Sequence, residues 1–158
     1  MGPILKNGIL LGVLVVVWTF VMGFTGWYKH PTLNLLFFLV ILIEVWVLLS
    51  GLRETAPTGS YGQQVMTGTL IAALGAIIIF VGSYVFTTVA FPTYFSDIEQ
   101  VQREMLQAQG LAAAEIEAQV KAAQAMQTPF MNAATGAVAT VLTGLIASLL
   151  IALRVRKR

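Results

Sequence analysis

Two stretches of this chain, residues 55–96 and 122–153, contain no Asp, Glu, Lys or Arg. Windows that long and that uncharged do not suit the surface of a water-soluble domain, and they read as membrane spans. Composition agrees: 58% of the 158 residues are hydrophobic and 10% are charged, where a soluble domain carries roughly 25% charged residues. The predicted fold class is all-α: an integral membrane bundle of four transmembrane helices, with an extramembrane amphipathic helical hairpin between the third and fourth. The whole chain, 1–158, is read as one membrane domain.

The spans are predicted at about 3–27, 32–52, 63–91 and 129–153. In the first, the apolar run Gly8 to Phe24 exceeds the h-region of a signal peptide and lacks an A-x-A site, so it reads as an uncleaved anchor. Lys29-His30-Pro31 is a short link that makes the first two spans an antiparallel pair. Ala56-Pro57-Thr58-Gly59-Ser60 is a turn-forming loop before the third. Pro92 ends or kinks the third span, and Tyr84, Phe86, Phe91, Tyr94 and Phe95 predict an aromatic belt at that end. Thr128 is the expected N-cap of the fourth, with Pro129 at its first helical position.

Residues 96–128 differ in kind. Ser96-Asp97-Ile98-Glu99 fits a capping box, and Ile98, Val101, Met105 and Leu106 follow helical spacing. Gly110 suits a helix stop in the left-handed conformation. A second amphipathic helix follows, so the segment is read as a hairpin outside the bilayer, its charges a solvated face.

Four spans place both termini and the 53–60 loop on one side. That side holds Lys6, Arg53, Arg154, Arg156, Lys157 and Arg158; the other holds Lys29, Arg103 and Lys121. The excess of basic residues predicts cytoplasmic termini and an external 96–128 segment. Arg154, Arg156, Lys157 and Arg158 are expected to set this topology and to touch anionic lipid headgroups.

The order of parts resembles a bacterial membrane-protein family known only as domain of unknown function 4199. The residues that carry the resemblance are Arg53, then Tyr61-Gly62-Gln63-Gln64 leading to Gly68. Phe91-Pro92-Thr93-Tyr94-Phe95 and Gln109-Gly110-Leu111-Ala112-Ala113-Ala114-Glu115-Ile116 follow, and Gly144 ahead of a basic end completes it. The resemblance implies a four-span fold and a bacterial inner-membrane address. It implies no activity. Members often carry Ser where this chain has Ala112, which predicts a less well-capped second hairpin helix.

Three candidate sites stand out. Glu44 lies near the centre of the second span, where a charge costs about 2.5–3.5 kcal/mol on insertion scales. Such a residue faces the bundle as a neutral acid hydrogen-bonded to a hydroxyl or backbone carbonyl, contacts another subunit, or serves as a proton or cation site. Thr67, Thr69, Thr140, Thr143 and Ser148 are the polar residues nearest in depth. Asn132, Gly136, Thr140, Gly144, Ser148 and Ala152 recur every four residues and predict a small-residue packing face along the fourth span. Gly8 and Gly12 do the same for the first, and Gly68, Ala72 and Ala76 for the third. The third site is the basic C-terminus.

No catalytic residues are expected, and no cofactor. With no cysteine and one histidine, His30, no metal site is expected either. The net charge of +2 does not suggest nucleic-acid binding. The expected function is therefore non-enzymatic: an accessory or structural inner-membrane subunit. Its expected partners are membrane lipids and other membrane-protein subunits, or its own copies as a homo-oligomer. The alternative is a small oligomeric transporter or channel that uses Glu44.

Overall fold

The computed structural model describes residues 1–57 and 59–155. Among them there are helices and no strands. Four helical stretches are long and apolar enough to cross a membrane: Pro3–Thr25, Leu33–Thr55, Tyr61–Ala90 and Pro129–Val155.

Helix α1, Pro3–Thr25, starts with proline in its first turn and ends on Gly26, whose positive φ of 68° suits glycine. A short 3-10 turn, Trp27–Lys29, leads to the second stretch. That stretch opens as a 3-10 helix, Leu33–Phe38, before becoming α2, Leu39–Thr55. The helical stretch Leu33–Thr55 thus starts with a tighter 3-10 segment. Inside this first segment the Leu36 carbonyl accepts a hydrogen bond from the Trp18 indole N–H of α1 at 3.0 Å, which ties the irregular turn to its neighbour.

Helix α3 is Tyr61–Val85. It begins two residues earlier than expected, because Ser60 and Gln63 form a reciprocal capping box. Beyond Val85 the helix widens into a π-helical turn, Phe86–Ala90. The Thr87 and Thr88 hydroxyls bond back to Ser83 and Tyr84 carbonyls, which competes with the ordinary i−4 ladder. Pro92 has no N–H with which to continue that ladder. The Phe91 N–H instead reaches the Phe86 carbonyl at 2.8 Å.

Two shorter helices follow, α4 (Tyr94–Ala108) and α5 (Ala113–Gln124). The expected Ser96–Glu99 capping box does not form. Helix α4 already runs from Tyr94, and the Ser96 hydroxyl donates to the Thr93 carbonyl at 2.7 Å. Gly110, at φ 76°, makes the expected left-handed stop. Ala112 has no side-chain oxygen, so only half of a capping box closes α5: the Ala112 N–H donates to Glu115 at 3.2 Å. Arg103 bridges Glu99 and Glu117, and Gln124 donates to Glu99, so α4 and α5 are cross-linked antiparallel.

Helix α6, Pro129–Val155, is capped by Thr128, whose hydroxyl accepts from the Met131 N–H at 3.2 Å. In the bundle α3 is central, packed most extensively on α6 and α1, and α2 touches all three. The buried core includes Leu11, Val15, Val47, Leu48, Leu52, Ile71, Ile79 and Ile151.

Candidate functional site

Glu44 is the one acid on a span interior, and α2 carries it into the bundle at 4% exposure. Helix α6 meets it with Thr143 and Gly144. Thr143 Oγ1 and Glu44 Oε2 are hydrogen-bonded at 2.5 Å. The same hydroxyl lies 2.9 Å from the Ala139 carbonyl. Glu44 Oε1 is buried and has no hydrogen-bond partner. It abuts Gly144, where a Cβ would sit 2.8 Å from it and would also collide with the Ala72 methyl. Gly144 is therefore required by the close approach of α2 and α3 to α6. Of the polar residues expected at this depth, the structure brings Thr143 to Glu44. Ser148 is buried too, but it bonds back to the Gly144 carbonyl at 2.6 Å and faces Gly68.

The structure divides the small-residue series of α6. Gly144, Ser148 and Ala152 are buried. Asn132, Gly136 and Thr140 are only partly buried, and a Cβ on Gly136 would meet nothing within 4 Å. A four-residue repeat advances about 40° per step around a helix of 3.6 residues per turn, so six such residues wind around α6 rather than line one face. Gly8 lies against Leu74 of α3, and Gly12 against Ile78 and the Gly75 carbonyl, where a side chain would not fit.

A second polar cluster, not singled out in the sequence, sits at the start of α3. Gln64 is 1% exposed and accepts from Thr55; Asn7, also 1% exposed, donates to the Pro3 carbonyl and lies against Gly51. The signal was present. Gln64, Gly68, Ile71, Ala72, Gly75, Ala76 and Ile79 follow helical spacing, so Gln64 belongs to the buried stripe of α3.

At the other end an aromatic cluster joins α1, the π turn and α4. Phe86 is 2% exposed and stacks with Phe91 at 4.6 Å between ring centres. The expected belt is thus partly an internal cluster. Tyr28, also buried, donates to Asp97 at 2.7 Å, and Lys29 pairs with the same carboxylate at 3.0 Å. Partial burial would raise the Asp97 carboxyl, but the hydrogen bonds from Tyr28, Lys29 and Thr93 and the Lys29 charge outweigh it and hold it below its ordinary value. Burial, with the nearby Asp97, pushes the Tyr28 phenol up. Burial and the neighbouring Tyr28 push Tyr94 up to about 12.

His30 is exposed, and among the described residues no three His, Cys, Asp or Glu side chains gather in a metal-binding group. Arg154 is exposed and lines the cleft between α2 and α6. Arg156, Lys157 and Arg158 lie outside the described residues. No curated protein and no solved structure matches the chain. A family model described as "Protein of unknown function (DUF4199)" matches residues 6–157, nearly the whole chain, and the chain belongs to that family.

Proposed function

We propose that this chain is a non-enzymatic, multi-pass protein of the bacterial inner membrane, an accessory or structural subunit that packs against other membrane subunits or its own copies. Both termini face the cytoplasm, and the α4–α5 hairpin lies outside the bilayer as its recognition surface. The observation that carries the reading is Glu44. Its polar capacity is spent on helix packing: one oxygen on Thr143, the other sealed against Gly144 with no donor. A carboxylate there would leave a bare charge on Oε1, whereas a neutral acid leaves only a carbonyl-like oxygen. The acid then ties α2 to α6 and offers no exposed ion ligand. The hairpin supports the recognition role, since its two helices enclose a cleft of about 270 Å³ lined by Met105, Leu106, Val120 and four more residues.

The test is the mass of the particle extracted from native membranes in polymer-bounded discs. The reading expects a particle heavier than one copy, whose size falls when Leu106→Glu alters the hairpin cleft. A single copy in wild-type membranes would contradict it.

A further inference from the structure

Two clefts adjoin where α2 and α6 approach the bundle end that carries Arg53 and Arg154. One, of about 610 Å³, runs from Glu44 and Thr143 to Arg154 between apolar walls that include Val45, Ala147 and Leu150. The other, of about 420 Å³, is lined by both Arg53 and Arg154 beside Leu49 and Pro57. Arg154 lines both, so the two meet at its side chain. Both arginines are exposed, and neither has an ion pair among the described residues. The neighbouring acid, Glu54, is held by Lys6 at 2.9 Å. From Thr143 to Arg154 is about 16 Å along the helix, or roughly one leaflet of a ~30 Å hydrocarbon core.

We infer that this α2–α6 groove binds one anionic phospholipid. Its phosphate sits on Arg53 and Arg154, and one acyl chain lies along Val45, Ala147 and Leu150 down to Glu44 and Thr143. Two uncompensated guanidinium groups are matched by a phosphate, which they can grip bidentately. Basic pockets between membrane helices at the bilayer surface suit such headgroups. An apolar trough of leaflet depth directly below them suits the chain of the same molecule. A partner helix would have to bring acids to the level of both arginines, whereas a phospholipid brings charge and chain together. The inference rests on the chain crossing the bilayer and not on the accessory role, so either can fail without the other.

The test uses the full chain, purified with phosphatidylglycerol and phosphatidylcholine in equal amounts and examined by native mass spectrometry. One phosphatidylglycerol should stay bound under activation that strips phosphatidylcholine. Arg53→Gln with Arg154→Gln should weaken that retention tenfold or more at unchanged helix content. Arg53→Lys with Arg154→Lys, which keeps the charge but not the bidentate fork, should restore only part of it, and Lys121→Gln should leave it unchanged. Ala147→Phe should also expel the lipid; Leu150→Trp, at an exposed wall position, is the second variant should Ala147→Phe unfold. Equal retention of both lipids would overturn the site, as would indifference to the arginine pair. Loss with the arginine variants but not with the groove fillers, or displacement by equimolar inorganic phosphate, would mean charge capture without a lipid groove. A second copy taking the lipid's place would overturn it as well.

Discussion

At Gly144 a single methyl decides how closely α6 can approach α2 and α3. A side chain there meets Ala72 and Glu44 Oε1, so Gly144→Ile should lower thermal stability in detergent by about 1–3 kcal/mol. Leu150→Ile, at 63% exposure, should be nearly silent. Gly136, with nothing near its missing Cβ, supplies the contrast. Gly136→Ala should be neutral or stabilising by up to about 1 kcal/mol, because it only removes helix-interior glycine. Equal melting shifts for Gly144→Ile and Gly136→Ala would refute close approach as the reason for Gly144. At Glu44, Gln can keep the bond to Thr143, so Glu44→Gln should melt near wild type. Thr143→Val leaves a buried polar group unpaired and should cost about 1–3 kcal/mol. The wild-type-like Glu44→Gln would be contradicted by a loss as large as that of Thr143→Val. The depth of Glu44 and its need for a partner were legible from its place in an apolar span. The choice of Thr143 over Thr140 was not, because it depends on how α6 is rotated against α2.

Among elements, α4 docks through the Asp97 carboxylate and through Tyr94, which packs on Tyr28 and Phe86. Asp97 gathers Tyr28, Lys29 and Thr93, so Asp97→Ala should raise amide exchange through Tyr94–Ala108 while leaving α1 and α3 protected. Because the folded Asp97 value is depressed, its contribution is fully present above the unfolded value of about 3.9 and is lost as pH falls below it. Tyr94 works in the opposite direction. With its phenol raised to about 12, its contribution is present below an unfolded value of about 10 and is lost as pH rises toward 12. The protection of α4 amides, corrected for the base-catalysed intrinsic exchange rate, should therefore be flat between pH 5 and 9 and fall on both sides. A step near neutrality would contradict this. The long helices were readable because twenty-residue apolar runs have few alternatives in lipid. Their ends were less so. The Ser60–Gln63 box is legible as Ser-x-x-Gln ahead of an apolar run. The 3-10 entry at Leu33–Phe38 and the π turn at Phe86–Ala90 depend on competing hydrogen bonds from Trp18, Thr87 and Thr88, which no periodicity reveals.

At the scale of the whole molecule, orientation and work are linked. A cysteine at Gln109 should react with an impermeant reagent in intact cells and one at Lys157 should not, in a chain that has no cysteine of its own. Reaction at position 157 would reverse the orientation. The proposed role makes Glu44 a packing group and gives it no part in transport. Ion flux driven by a pH gradient, measured in vesicles reconstituted with wild type and with Glu44→Gln, tests that claim. The account predicts no flux above empty vesicles from either protein. A wild-type flux that disappears in Glu44→Gln would contradict it and make the acid part of a pathway.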